Sequence, residues 1–592
     1  MSFNVKKFTS YRGWFISHLL KQKLLVLTTL IGISIVTLSR VLLPVIIGEI
    51  IDNVLIAQEI TNLVVLLGIT FAIYLTRNSM DYITMMVGHF LGLKTEQNMR
   101  QEFFDTIQYK PLSYHDKARS GDLQALATND LRIINTMISH GSFYIYPFIQ
   151  VLFASILLVT TLDIRIALIC SPFMFFYMIF ILDYRKKIAP YAAARVVKHS
   201  KLAVVLQDSI SGAAIVKSFT AEGLERKKFH HAVKEFRDNI IGETRVQAKF
   251  YPLLVLYLAL GTTFLVSCLL VFNGSLTIGV LAASNLLLLT LIDPTNMIFW
   301  ATNDMMSGFA ACSRLFLALS LEENEQNESQ INQWPDDFKG MIEFRNVTFS
   351  YGNKEENYFP ILKNLSFTIK PNQKIALVGP TGCGKTTLVK LLLRLYEPQE
   401  GTILLDGINI KYYPLELLRC HIGYIEQDIY LFSKTISKNI AFGKPNATEE
   451  EIKAVAELAQ VDDFVQQFPG KYNTIVGERG TRLSGGEKQR VAIARAFLTD
   501  PDILILDDSV SAVDSGTEAK ITNAMENIVK NRTTLIITHR LHTIRTSDKI
   551  LVLKKGSIVA EGDHNELLNT SEDYRRIFGR HLVLPAIKTK RG

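Results

Sequence analysis

The chain has 592 residues, 48% of them hydrophobic, and a positive mean hydropathy, so it is too long and too apolar for one soluble domain. Its net charge of +8 raises the question of nucleic acid. The basic residues lie mostly beside long apolar stretches, however, where a membrane surface accounts for them and no nucleic-acid partner is expected. The five cysteines (Cys170, Cys268, Cys312, Cys383, Cys420) are scattered and odd in number, which predicts reduced thiols and argues against a disulfide framework.

In chain order, Lys6–Lys23 is basic with Trp14, Phe15, Ile16, Leu19 and Leu20 interleaved, the pattern of a helix lying in the membrane interface. No cleavable signal peptide is expected, because the first apolar run is longer than a signal core and lacks a small-residue cleavage site. Six apolar segments follow, at about Leu24–Ile47, Leu63–Val87, Phe143–Leu162, Ile164–Leu182, Tyr251–Phe272 and Val280–Phe299. Each is near the ~20 residues that a helix needs to cross the hydrocarbon core. The second carries Arg77, Asn78 and Asp81. Lys and Arg concentrate before the first segment and in the long connections after the second and fourth, which puts both termini and both connections in the cytoplasm.

Neither long connection, Lys94–Gly141 or Arg185–Lys249, has much Gly or Pro, and both carry helical periodicity. They read as helices continuing out of the membrane, joined by short turns near Ser120–Leu123 and Ser211–Ala214 that are placed to touch a cytoplasmic domain. Inside the spans, Arg77 and Asp293 are expected to face a polar cavity, with Asp293 contributing to substrate or proton contact. Two alternatives stand beside this. Arg77 can pair with Asp81 four residues on, and Asp293 can satisfy backbone groups freed by Pro294. Arg40 is expected nearer the outer interface, reaching outward to it.

The acidic, polar run Glu322–Lys339 reads as a linker. The expected domains are therefore a membrane domain over 1–320, a linker over 321–340, a globular domain over 341–580, and a tail over 581–592. In the globular domain, GPTGCGKTT at Gly379–Thr387 fits G-x-x-x-x-G-K-[ST] between an apolar strand pattern, KIALV, and an apolar helical one. Such a loop turns backbone N–H groups of Gly379, Thr381, Gly382, Cys383, Gly384 and Thr387 toward phosphate, at the positive end of a helix. Lys385 is placed for the β- and γ-phosphates of ATP and Thr386 for Mg²⁺. Asp507 ends the apolar run Ile503–Leu506, where it can hold the Mg²⁺ water shell, and Asp508 follows it. Leu483–Glu487, LSGGE, offers a second anion-binding turn at Ser484, Gly485 and Gly486. Gln427 follows the strand pattern IGYI, His539 follows TLIIT, SAVD occupies Ser511–Asp514, and Tyr351 can stack on a base. Cys383 invites oxidant or maleimide sensitivity, or is an ordinary small loop residue.

These motifs, in this order, resemble the nucleotide-binding domain of an ABC transporter: A-loop at Tyr351, Walker A at Gly379–Thr386, Q-loop at Gln427, signature at Leu483–Glu487, Walker B at Ile503–Asp507, D-loop at Ser511–Asp514 and switch at His539. VGERG at Val476–Gly480 is similar to the segment exporters carry before the signature. Six membrane segments ahead of one such domain resemble an exporter half-transporter. The resemblance implies a multi-domain membrane protein, with an all-α six-helix transmembrane domain followed by an α/β P-loop NTPase domain with a helical subdomain. It implies ATP and Mg²⁺ as cofactors, with metal contacts from Thr386, Gln427 and Asp507 and catalytic roles for Asp508, His539 and Gln427. It also implies a second half-transporter as partner, a small hydrophobic, drug, lipid or peptide cargo, and the plasma membrane as location.

Two positions depart from the family pattern. Glu487 stands where Gln is usual, and Asp508 stands where a Glu base is usual. The shorter carboxylate moves by roughly 1.5 Å, one C–C bond, and a displacement of about 1 Å can cost on the order of a hundredfold in rate. The resemblance is then to the degenerate-Walker-B subunit of a heterodimeric multidrug-type exporter. Retained His539 fits that less well, and a homodimer with two slow sites stays open. So do a mainly regulatory ATP-binding subunit and a lipid translocase.

Overall fold

The computed structural model describes residues 10–56, 63–118, 120–157, 163–320, 331, 333–351, 359–507, 529 and 531–578. The chain divides into two compact units: residues 1–110 with 118–323, and residues 324–592 together with the short piece 111–117.

The first unit is helical. A short helix α1 (Tyr11–Leu20) is capped by Ser10, whose hydroxyl accepts from Gly13 N. Its apolar side turns into protein: Trp14 is 1% exposed, its indole donates to Glu102, and His18 Nε2 lies 2.7 Å from the same carboxylate. Then come α2 (Lys23–Ile50), α3 (Leu63–Gln108), α5 (Ser120–Ala125), α6 (Leu131–Ser139) and α7 (Gly141–Leu157), while α4 (Leu112–Lys117), between α3 and α5 in sequence, belongs to the second unit. They are followed by α8 (Ile164–Ser211), α9 (Ala213–Ser218), α10 (Glu222–Ala248), α11 (Tyr251–Phe272), α12 (Ile278–Leu289) and α13 (Ile292–Ser320). Among the described residues, five stretches are long and apolar enough to cross a membrane, beginning at Lys23, Leu63, Ile164, Glu222 and Ile278. The third expected segment is helical over α7, and its last five residues, 158–162, lie outside the described residues.

Small residues set the closest helix crossings. A Cβ on Gly32 would lie 2.1 Å from Thr84 Oγ1, so α2 and α3 meet there almost backbone to side chain. Gly48 and Gly279 face each other where α2 crosses α12, and the Asp52 carboxylate accepts from Gly279 N at 2.8 Å.

The expected continuation of the helices beyond their apolar spans is found: α3 runs 46 residues, and α8 runs 48, passing through Pro172 and Pro190. Other expectations are corrected. Arg40 does not reach outward to the interface: its guanidinium lies over the Tyr146 ring of α7, 5.0 Å from its centre. Arg77 comes within electrostatic reach of Asp81 without forming the ion pair read from spacing. The first cross-piece is α4, not Ser120–Leu123, which is helical within α5; Pro111 ends α3 and opens α4, as a residue without an N–H does. The second break falls at Gly212, inside the expected stretch. The sixth segment is not one helix but breaks between α12 and α13. Pro294 cannot donate to the Thr290 carbonyl four residues back. That carbonyl instead accepts from Gln150 Nε2 of α7 at 2.8 Å, so Gln150, and not Asp293, satisfies the freed group.

The second unit is α/β. A four-stranded antiparallel sheet has the order β2–β1–β4–β5: β1 (Ile342–Phe349), β2 (Leu362–Ile369), β4 (Glu400–Leu405) and β5 (Ile408–Asn409). A six-stranded sheet has the order β10–β9–β3–β8–β7–β6: β3 (Lys374–Val378), β6 (Ile422–Ile425), β7 (Ile503–Asp507), β8 (Thr533–Ile537), β9 (Lys549–Lys554) and β10 (Ser557–Gly562). Its strands pair parallel from β9 through β6, and only β10 is antiparallel. β3, β7 and β8 are apolar almost throughout and buried on both faces, as a covered parallel sheet requires. Among the described residues three cores flank the sheets. One holds Phe344, Leu377 and Leu392; another, in the helical part, holds Ile440, Phe464 and Ile493; the third holds Val378, Ile550 and Tyr574. Part of the expected linker is not free. Ile331, Trp334 and Phe338 pack on the first core, and Trp334 stacks on His421 with ring centroids 4.1 Å apart.

Candidate functional site: the nucleotide edge

Parallel register brings the C-terminal ends of β3, β8, β7 and β6 to one edge, where open α/β sheets take their ligands. β3 ends at Val378 and the chain enters the loop Gly379–Gly384, which feeds helix α14 (Lys385–Leu392). Gly382 (φ 79°) and Gly384 (φ 109°) hold left-handed conformations that a side chain resists. At Gly379 the constraint is space: a Cβ would sit 2.2 Å from the Leu553 carbonyl oxygen. The Lys385 ammonium donates to the carbonyls of Gly379 (2.8 Å) and Pro380 (3.1 Å).

β7 ends at Asp507, 2% exposed, whose Oδ2 accepts from the Thr386 hydroxyl at 3.1 Å. A hydroxyl beside a buried carboxylate is a hard-oxygen pair, the donor set Mg²⁺ takes with phosphate and water completing its shell. Gln427, two residues past β6, and His539, two past β8, are both exposed on this edge. Tyr351 donates to Thr387 Oγ1 at 3.2 Å and packs edge-on against Phe349 and Tyr396, with the Lys390 ammonium 5.6 Å from its ring centre. Thr381 is exposed, and Thr387 is buried under the loop. Asp508 and Ser511–Asp514 lie outside the described residues.

Cys383 is buried, and desolvation pushes its thiol up despite the neighbouring Lys385 ammonium, which argues against ready reaction with oxidants or maleimides. Glu426 is exposed as a residue, yet partial desolvation of its carboxyl beside the sheet pushes that group up, with Arg495 opposing.

The signature turn starts α19 (Gly485–Leu498). Ser484 and Gly485 are exposed, and Gly486 is buried. The unusual Glu487 completes a reciprocal cap: Ser484 Oγ accepts from Glu487 N, and the Glu487 carboxylate accepts from Ser484 N at 2.7 Å and Oγ at 2.8 Å. The sequence carried that signal in the Ser-x-x-Glu spacing. Arg495 had no signal; it bridges the carbonyls of Asn439 and Tyr430, fixing α19 to the loop after Gln427. Tyr396 was also missed, and its hydroxyl pairs with the Asp116 carboxylate of α4.

A P-loop beside a buried Walker-B carboxylate on a parallel sheet, preceded in sequence by apolar spans, defines a membrane-bound nucleoside triphosphatase. The comparisons give the family. Residues 362–511 match the ABC transporter model and residues 26–295 the ABC transporter transmembrane region. YgaD of Bacillus subtilis (strain 168), named provisionally as a multidrug export ATP-binding/permease protein, is 32% identical over 94% of this chain and 97% of its own length. An ATP-dependent lipid A-core flippase of Desulfotalea psychrophila is 31% identical over 90% of this chain and 92% of its own. A bacterial Atm1-family ABC exporter solved with ATP bound is 27% identical, with a TM-score of 0.81 over 95% of this chain and 98% of that one. This chain belongs to the ABC transporter family. It has the exporter fold, is a multi-pass membrane protein with a cytoplasmic nucleotide-binding domain, and is an ATPase coupled to transport.

Proposed function

We propose that this chain is one half of a dimeric exporter that moves hydrophobic or amphipathic compounds out of the cytoplasm or inner leaflet of the plasma membrane. The observation that carries the reading is the nucleotide edge, where the Gly379–Gly384 loop, Asp507, Gln427 and His539 end neighbouring parallel strands. ATP phosphates lie in the loop, with Lys385 on the β- and γ-phosphates and Tyr351 against the base. Thr386, Asp507 and Gln427 would hold Mg²⁺, which would supply neutralisation of the charge on the phosphates. Ser484, Gly485 and Gly486 of a second half-transporter close over the same nucleotide, so binding draws two domains together and loss of the γ-phosphate releases them. The exposure of Ile215 (66%) and Phe219 (79%) at the α9 break favours a partner there, since large apolar side chains at a helix turn gain by being covered.

Asp508 makes this chain's own site slow, and a heterodimer follows, with Ser484–Glu487 completing the competent site of the partner. The test is ATP turnover by the chain alone in lipid, beside Asp508→Glu. Low wild-type turnover, raised on the order of a hundredfold by the longer carboxylate, supports the slow site. Ordinary wild-type turnover removes it and leaves a working homodimer. The same Asp508 favours the second reading, a subunit that chiefly binds ATP and gates its partner. Asp508→Glu that raises turnover without raising transport would favour that reading.

A further inference from the structure

The nucleotide-binding domain holds a buried titratable group that the nucleotide chemistry does not use. His564 opens the C-terminal helix pair, His564–Thr570 and Glu572–Phe578, and is 9% exposed. Arg545 Nε donates to its Nε2 at 3.2 Å. An arginine N–H can only donate, so Nε2 carries no proton. The imidazole proton therefore sits on Nδ1, which donates to the Tyr574 hydroxyl oxygen at 2.7 Å. Both contacts hold together only in this neutral tautomer. A second proton, on Nε2, would set N–H against N–H and break the Arg545 arm.

The two arms reach the nucleotide edge from behind. Arg545 ends the short helix Leu541–Arg545, which begins two residues after His539. Ile544 of that helix is buried with Leu567 and Tyr574 of the C-terminal pair, in one cluster with Ala376 and Val378 of β3, the strand that runs into the Gly379–Gly384 loop. Charged groups around His564 are few. Arg545 faces it from the helix behind His539, and Tyr574 from the last helix. At the start of its own helix, the Asp563 carboxylate serves as the cap and accepts from Glu566 N at 2.8 Å. The neighbouring strands carry Lys554, paired with Asp573 at 2.5 Å, and Glu561, paired with Lys549 at 2.8 Å. Burial, with Arg545 next, pushes protonation of His564 down from the ordinary range, and Asp563 opposes.

We infer that His564 is a positioning residue of the ATP site, acting through Arg545 on the helix behind His539, and that it acts only as the neutral imidazole, so that acidification of the cytoplasm slows ATP turnover. Above about pH 6.5, the ordinary His value, the latched and released forms are both neutral. Below it the released form takes a proton that the latched form resists, so the latch weakens as pH falls. The inference needs only the ATPase activity and stands whatever the cargo or partner.

The test uses the full chain in lipid, from about pH 7.5 to about pH 5.5. Single-turnover hydrolysis, with protein in excess over labelled ATP, reads the rate even at a slow site. Hydrogen exchange reads the amides of Ile544 and Thr546, which donate to the Arg540 and His542 carbonyls. His564→Ala loses a bond to a charged donor and should speed this exchange about tenfold or more, with slower hydrolysis. His564→Gln offers Arg545 an uncharged acceptor and should recover most of both at neutral pH. Wild-type exchange, taken as a ratio to that of His564→Gln at each pH, should rise severalfold on acidification, at most about tenfold, with the hydrolysis ratio falling in step. Arg545→Met removes the same arm from an exposed position, so it decides the matter where a His564 variant fails to fold. Exchange ratios that stay flat with pH overturn the inference. So do wild-type exchange and hydrolysis in both His564→Ala and Arg545→Met. An acid-dependent exchange ratio with a flat hydrolysis ratio would make the contact structural only, and overturns the positioning role.

Discussion

The break between α12 and α13 offers a quantitative test of how the membrane unit is held together. Gln150 is fully buried and donates to the Thr290 carbonyl at 2.8 Å and to the Thr290 hydroxyl at 3.1 Å. Gln150→Met keeps length and apolar volume but removes the donor. The hydroxyl loses little, since it still donates to the Leu287 carbonyl at 2.7 Å. The carbonyl loses its replacement for the missing N–H of Pro294, and a buried orphan of that kind costs about 1–3 kcal/mol. Removing the unpartnered Gln150 Oε1 returns part of this, leaving about 1–2 kcal/mol net. Thermal unfolding in detergent should register a fall of about 2–4 °C. The decisive variant is Pro294→Ala, which restores an N–H four residues after Thr290. In that background Gln150→Met should cost little, giving a coupling of about 1 kcal/mol in the double-mutant cycle. Equal losses in both backgrounds would refute the reasoning, because Gln150 would then act by packing alone.

The remaining expectations concern the nucleotide-binding domain. Gly379→Ala forces a Cβ against the Leu553 carbonyl and the Cys383 sulfur, and should weaken binding of a fluorescent ATP analogue at least tenfold; unchanged binding would mean the loop can move aside. Glu487→Ala removes the reciprocal cap and should destabilise α19 by about 0.5–2 kcal/mol, whereas Glu487→Gln, which keeps an acceptor oxygen, should cost less in the same melting experiment. Glu426 has its carboxyl raised chiefly by partial desolvation, so above its folded-state pKa the native state carries a desolvation cost that the unfolded chain does not. Glu426→Gln should therefore stabilise the protein at neutral pH. The gain should shrink as pH falls toward the ordinary Glu range near ~4.3, where both states are protonated; a gain that does not depend on pH would contradict this assignment.

Legibility followed the range of the interactions. The P-loop and its flanking strand and helix were readable because their chemistry is written in consecutive residues, Gly379–Thr387. The convergence of Gln427, Asp507 and His539 on that loop was readable only through the family's motif order, since the parallel pairings that bring them there join residues 30, 81 and 160 positions apart. Span existence was readable from hydrophobicity. The continuation of α3 past its apolar run was readable too, from the helical periodicity of the connection, with Pro111 following its end. Pro111 and Pro294 both carried signals, one marking the true cross-piece and the other the break. What a sequence could not supply was the partner: nothing near Pro294 names Gln150, and nothing near Arg40 names Tyr146. Both depend on which face of α7 meets its neighbours.

The membership of α4 in the second unit has a consequence for how the protein is made. Asp116 leaves the ribosome 280 residues before its partner Tyr396. At about 5–20 residues per second it waits roughly 15 to 60 seconds for the surface that receives it. During that interval the membrane helices on either side are already being inserted, so the first half of the chain is committed to a topology while one of its cytoplasmic corners is unfinished. A nucleotide-binding domain produced alone from residue 331 onward would lack this seven-residue piece altogether, and with it the acceptor for Tyr396, beside the aromatic group that includes Tyr351.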